Sequence, residues 1–559
     1  MDRRPCRMPA GSGTGGASRD YSLKNNNESL KTNKDMRRTI CAALIMAAMT
    51  LTAADGWAGN VKTYRSGPLA VSVEEPEIPD YAVSLADFGA KGDGLTLCTD
   101  AFARAMDHLA GKGGGTLMVP HGVWLTGPIV FKSHVRLHLD DMAVIKFDPR
   151  LSLYKSLGEL FGVGEETGNG GDEHRQSPLC AYGETDIEIS GRGIIDGAGE
   201  QWRPFKRGNA TVHEWRDRTS REGVMNAKED RWYPMTAEEQ DYARRRMGTE
   251  DDRWKEYKDY VRPELLHFIR CSRVRLEGVT FQNSPMWNLR PELCDNITIK
   301  GCTVRNDHNA ANGDGIDIES CRNVYLSRCV FDVGDDGICL KSGRDEAGRR
   351  RGVPTQDVII DSCVVYHAHG GFVVGSEMSG GVRRVSVSDC LFMGTDNGLR
   401  FKSNRDRGGV VDSIFAANIY MERIKNEGIL FDMYYFKPSE GRAFLKDMAD
   451  YRVTDIPAVG ETTPTFRNIF ISNITCAGAD RAIYMDGLPE RPIDGISISG
   501  LHATAANPSL ISEAEGITLS DISISDRATG GSLYLHNTKN VSISGDGGRT
   551  KIERFGERK

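Results

Sequence analysis

The sequence predicts an all-β protein: a single-stranded right-handed parallel β-helix with an N-terminal capping helix and a long helical, aromatic-rich insertion. Three observations carry this. A short strand pattern recurs at intervals of one coil, a second, glycine-led strand recurs at matching intervals, and the 559 residues include 62 glycines, which suits a chain of many tight turns.

Residues 1–35 are polar and rich in Gly and Asn, and read as disordered or as an upstream extension. From Met36, MRRTICAALIMAAMTLTAADGWAG has a basic start, an apolar run too short to span a bilayer comfortably and small residues near Ala58, so 36–58 reads as an export signal. Residues 59–80 are expected to be a linker, and 81–550 the β-helix, interrupted at about 201–262. No other run is apolar enough for a membrane span after signal removal, so the expectation is a secreted or periplasmic monomer. A formal charge of -7 gives no reason to expect nucleic acid as a partner, and an acidic substrate would need a local basic pocket.

In FGAKGDGLTLCTDAFARAMDHLAGKGGGTLMVPHGVWL, Phe102, Ala105, Met106 and Leu109 fall at helical spacing, with Thr99 and Asp100 as candidate caps. A helix here would plug the open end of the coil stack, as a soluble solenoid requires.

RVRLEGVTF (273–281), NITIKGCTV (296–304), NVYLSRCVF (323–331), DVIIDSCVV (357–365) and RVSVSDCLF (384–392) share an apolar alternation, a polar two-residue break and a second apolar alternation. Aligned on Val274, Ile297, Val324, Val358 and Val385, they begin 23, 27, 34 and 27 residues apart. Related units stand at 186–194, 468–476, 495–503, 516–524 and 540–548. These intervals are too short for a βαβ crossover but suit one coil of two or three strands, stacked at about 4.8 Å. A leucine-rich solenoid would need a recurrent Leu/Asn scaffold, which is absent.

Cys302, Cys329, Cys363 and Cys390 all fall five residues after the aligned apolar position, where other coils place Val279, Ile419 or Ile474. They read as an interior hydrophobic column, with a metal or redox ladder as the alternative. The insertion holds four of the seven Trp, at 202, 215, 232 and 254, amid dense Arg, Lys and Glu. Two readings stay open for it: side chains that stack on sugar rings and pair with carboxylates, or a self-packed helical flap.

GIDIES (315–320), GICLKS (337–342), GFVVGS (371–376), GLRFKS (398–403) and GILFDM (428–433) form the second column, their glycines 22, 34, 27 and 30 residues apart. Period-2 alternation turns the second and fourth residues of each inward and the third and fifth to solvent. Asp314 and Asp336 then occupy one position on adjacent coils, His369 stacks over Asp335, and Arg400 and Lys402 take both outward positions of a later coil. Three carboxylates that close cannot all ionise without penalty, so at least one holds a proton near neutrality. One acid and one base is the requirement of glycoside hydrolysis, and a separation of roughly 6.5–9.5 Å would leave room for an attacking water and invert the anomeric carbon. Taken singly, Asp-Gly is a turn, an acidic pair could bind calcium, and a lone His, Arg or Lys is a solvated group.

At these residues the sequence resembles glycoside hydrolase family 28, the polygalacturonases. The family's Asn-Thr-Asp, Gly-Asp-Asp, Gly-His-Gly and Arg-Ile-Lys correspond to Asn312-Gly313-Asp314, Gly334-Asp335-Asp336, Ala368-His369-Gly370 and Arg400-Phe401-Lys402. The resemblance implies a pectin-lyase-like solenoid with Asp335 as general acid, Asp314 and Asp336 activating water, and His369 tuning the acid. It also implies substrate binding by Arg400 and Lys402, with Asn312 and Lys341 as further binding candidates. Tyr434 would line the subsite, with Tyr435 its rival. FQNSPMWNLRP (281–291) and HGGFVVGSEMSGG (369–381) resemble exo-acting bacterial members in particular, and the insertion at 201–262 could wall off one end of the cleft. The substrate implied is a pectic oligo- or polysaccharide, with neither cofactor nor metal. Rhamnogalacturonan or xylogalacturonan hydrolysis, a pectate lyase and a non-catalytic carbohydrate-binding β-helix are the alternatives.

Overall fold

In the computed structural model, which describes residues 60–162, 174–447, 456–545, 548 and 550–558, the chain winds into a right-handed parallel β-helix. The expected extension 1–35 and export segment 36–58 lie outside the described residues. The aligned apolar positions are register partners: Val274 with Ile297, Ile297 with Val324, Val324 with Val358, Val358 with Val385. All are buried, because one side chain per coil points into a core that runs the length of the stack.

The polar break has a conformational cause. Gly278, Gly301, Ser362, Asp389, Asn418 and Asn473 sit there at φ between 53° and 77°, the left-handed region that Gly, Asn and Asp enter at least strain. Cys302, Cys329, Cys363 and Cys390 follow it as buried free thiols. A second thiol column, absent from the expectation, joins Cys271, Cys294 and Cys321 through backbone N–H···Sγ contacts of 3.3 and 3.4 Å.

The capping helix is Thr99–Gly111, burying Phe102, Ala105, Met106 and Leu109 against the end of the core. Neither Thr99 nor Asp100 is its cap. Cys98 holds that position, and Thr99 Oγ1 instead accepts a hydrogen bond from the Gly127 amide at 2.7 Å, tying the plug to the first coils. The expected linker is structured too: Val61–Ser66 and Leu69–Glu74 form an antiparallel hairpin. Its alternating Leu69, Val71 and Val73 pack on Tyr325 and Ile359, and Tyr64 stacks on Tyr325 at 3.6 Å. At the other end, Lys551–Glu557 adds a strand beyond residue 550.

The insertion folds on itself. Helices Val212–Thr219, Ala237–Met247 and Tyr257–Val261 and a small antiparallel sheet surround a cluster of Trp202, Met235, Ala243, Trp254, Tyr257 and Val261, which also takes in Leu151 and Tyr154. Two of these helices begin with capping boxes, at Thr211 and Thr236. Among the described residues no helix is long and apolar enough to cross a membrane.

Candidate active site

The glycine-led strands stack as their spacing requires: Ile316 pairs with Ile338, Ile338 with Phe372, Phe372 with Leu399, and Leu399 with Ile429. This registry brings the distant motifs together. The Gly315 amide donates to Asp336 O and the His369 amide to Asp335 O, both at 2.9 Å, so each motif is held by the backbone of its neighbour. One oxygen from each of Asp314, Asp335 and Asp336 falls within a common 4.8 Å, closer than the separation expected for a water between acid and base.

Each carboxylate has its own surroundings. Asp336 receives Arg400 Nη1 at 3.0 Å on one oxygen and Lys402 Nζ at 2.6 Å on the other. Burial alone would push its carboxyl up, but Lys402 and Arg400 hold it far below the usual carboxylate range. Asp314 is pushed well above that range, by burial first and then by Asp317 and Asp335, with Lys341 3.7 Å away offsetting only part. Its Oδ1 has no hydrogen-bond partner. Asp335 Oδ1 accepts from the Asp336 amide at 3.0 Å and from His369 Nδ1 at 2.8 Å. That hydrogen bond raises the imidazole above its ordinary value.

The outer face of this sheet is not solvent-exposed, contrary to the simple alternation rule. Upstream, His267, Arg290 and Glu292 of the preceding strands in this stack join His174 and Glu264 in a buried ion-pair network, including Arg290–Glu264 at 2.8 Å and His267–Glu292 at 2.8 Å. Downstream, Phe444 of the helix Glu440–Asp447 covers Leu430, Tyr484, Leu510 and Tyr534. Between these covers the site opens: the His369 and Asp335 side chains are 46% and 22% exposed, while those of Asp314 and Asp336 lie beneath at 5% and 3%.

Three expected binding residues have surroundings that the motifs do not specify. Lys341 is buried and engaged by Asp317 at 3.0 Å and by the Trp287 ring at 3.3 Å. Tyr434 packs in the core under Arg405, and it is Tyr435 that lies half-buried beside Lys402 and Arg400, at 5.0 and 5.7 Å. Consecutive residues leaving a strand face opposite ways, which the motif alone could not orient. Asn312, at φ 52°, accepts a hydrogen bond on its Oδ1 from Arg262 Nη2 at 2.7 Å. Arg262, the last residue of the insertion, also donates to Ala311 O and Pro285 O, clamping the loop that delivers Asp314. Arg262, Asp317 and Trp287 escaped the sequence reading. Asp317 alone carried a signal, as the acidic third residue of the first glycine-led strand.

A carboxylate cluster flanked by a protonatable imidazole and two cations, on the outside of a parallel β-helix, defines a glycoside hydrolase class of site. The sequence profile of glycosyl hydrolases family 28 matches residues 249–463. A hyperthermoactive exopolygalacturonase from Thermotoga maritima shares 31% identity and a TM-score of 0.60, over 84% of this chain and 94% of that one. A probable polygalacturonase of Vitis vinifera is 28% identical over 78% of each chain. The family 28 exopolygalacturonase of Yersinia enterocolitica, 19% identical, matches in fold with a TM-score of 0.64 over 86% of this chain and 82% of that one. The chain belongs to glycosyl hydrolases family 28 and is a glycoside hydrolase.

Proposed function

We propose that the protein is an exo-acting polygalacturonase that hydrolyses α-1,4-galacturonosyl linkages of pectin with inversion. The carrying observation is the partition of charge among the three carboxylates. Asp336 is fixed as an anion by two cations and Asp314 faces the same space with a free oxygen, while Asp335, at the opening, is paired with the His369 imidazole. Asp335 therefore protonates the departing glycosidic oxygen, and Asp336 with Asp314 orients and deprotonates water. Arg400, whose Nε has no partner, and Lys402 present the positive charge that a uronate carboxylate needs in an otherwise acidic protein, beside the Tyr435 ring.

The covered outer face on both sides of the site, by the ion-pair network upstream and by Phe444 downstream, supports exo action. Digestion of polygalacturonate should release monomer alone, and a ladder of oligomers would refute exo action. No release from polygalacturonate would move the substrate to rhamnogalacturonan or xylogalacturonan.

The short spacing of the carboxylates favours a second reading, a double displacement, since retaining enzymes hold theirs about 5–5.5 Å apart. Inversion is the better account because both Asp336 oxygens are held by cations and Asp314 lies beneath the opening, so each is placed to reach a small water molecule rather than the anomeric carbon. Proton NMR of the first-formed anomer decides: β from an α-linked substrate means inversion, α means retention. No metal is needed in this scheme, and with Arg400 and Lys402 on Asp336 a cation at the carboxylates would be repelled, so chelators should leave turnover unchanged. With 36–58 as an export signal, the enzyme would meet pectin outside the cytoplasm.

A further inference from the structure

A buried cluster behind Asp314 is left over from this chemistry. Lys341 Nζ lies 3.0 Å from Asp317 Oδ1, 3.7 Å from Asp314 Oδ2 and 4.0 Å from Glu377 Oε2, with the Trp287 ring 3.3 Å away. Trp287 is shared, because Arg290 approaches it at 5.2 Å. The next residue, Asn288, donates both its backbone amide and its Nδ2 to Asp314 O at 2.9 Å, so the aromatic clamp and the Asp314 backbone move as one. Asp317 is fully buried, and among the described residues its one ion pair is with Lys341. The cations of the site are thus divided: Asp336 has Arg400 and Lys402, whereas Asp314 must share Lys341 with Asp317 and Glu377.

We infer that Lys341 and Asp317 are positioning residues with opposed effects: Lys341 is the counter-cation that lets Asp314 carry charge toward the attacking water, and Asp317 competes for that cation. The inference rests on Asp314 belonging to the hydrolytic site. The charged groups around Asp314 are Asp317 on its own strand and Asp335, Asp336 and Lys341 on the following coil. Those around Lys341 are Asp317, Glu377 and Asp314, with the Cys339 thiol adjacent, and Arg290 acts on Asp317 from the preceding coil. Asp336 is held far lower, and Asp317, which burial pushes up to about 7, no longer titrates in Asp317→Asn, so the acid limb that remains in that variant reports Asp314.

The test is kcat/KM on a short oligogalacturonide against pH for wild type, Lys341→Met, Lys341→Arg, Asp317→Asn and Asp314→Asn. A charge within about 4–6 Å moves a carboxyl by about 1–3 pH units. Lys341→Met should carry the acid limb upward by about one unit or more. Asp317→Asn should carry it downward, and Lys341→Arg should restore it toward wild type. Opposite displacements from adjacent substitutions are not what loosened packing produces. An inactive Asp314→Asn, with the other variants shifting the limb in one direction or not at all, overturns this inference alone. Near-normal turnover by Asp314→Asn removes the hydrolytic reading beneath it. Should Lys341→Met fail to fold, the near-isosteric Asp317→Asn decides the matter by the direction of its shift.

Discussion

Replacing Asp335 by Asn removes one ionisable proton and little else. The amide oxygen of Asn can still accept from His369 Nδ1 and the Asp336 amide, replacing contacts of 2.8 and 3.0 Å, and the side chain lies at the open part of the site. Stability should therefore move by no more than about 0.5 kcal/mol, as for an exposed substitution. Turnover should fall about 10²–10⁴-fold, the contribution of a positioned general acid. At 1.36 kcal/mol per decade that is about 2.7–5.4 kcal/mol of transition-state stabilisation. Reducing-sugar release from polygalacturonate measures the loss, and equilibrium binding of an oligogalacturonide should be nearly unchanged. A galacturonide with a good aryl leaving group needs no protonation, so on it the defect should shrink to about tenfold or less. Near-normal release of reducing sugar, or an equal defect on both substrates, would refute Asp335 as the proton donor.

Arg262→Met unties the insertion from the loop before Asp314, leaving Ala311 O, Pro285 O and Asn312 Oδ1 without their donor; kcat should drop about 10²-fold, the penalty of a misplaced group, with KM changed much less. Tyr435→Ala should raise KM with little change in melting temperature, whereas Tyr434→Ala, truncating a core ring, should destabilise by about 3–5 kcal/mol in denaturant unfolding. Asp486, buried and hydrogen-bonded by Tyr484 at 2.8 Å, titrates at about 6 because burial resists its charge. Its folded value lies above the unfolded one, so the stability it contributes is present at low pH and is lost as pH rises toward and through 6. Asp486→Asn should accordingly raise the melting temperature more at pH 8 than at pH 4, and equal shifts at both would contradict this.

The insertion shows where sequence reading stopped. Its four tryptophans fitted sugar stacking as well as a self-packed flap, because composition does not say which ring faces inward. In the structure Trp202, Trp232 and Trp254 are buried, and Trp215 stacks with Phe205 while Arg207 lies over its ring. The hairpin at 61–74 was misjudged for a related reason: alternation over six residues is a weak signal until Tyr325 and Ile359 give it a surface to cover. Lys341 reads like a solvated cation because the outer face of a strand is polar in pattern whether water or other protein lies over it, and Tyr434 lies past the end of Glu427–Asp432, where alternation no longer says which way a ring faces.

The sequence by itself determined the coil interval, the inward apolar columns and the alignment of Asp314, Asp335, Asp336, His369, Arg400 and Lys402, because parallel stacking converts a repeat distance directly into a spatial neighbour. Which outward groups meet solvent follows from the packing of the folded chain. The Phe444 cover and the Arg262 clamp come from segments outside the repeat, whose positions follow from packing against the finished solenoid and from no periodicity of their own, and the Arg290 network, although it stands on repeat strands, is completed by His174 and Glu264 from beside them.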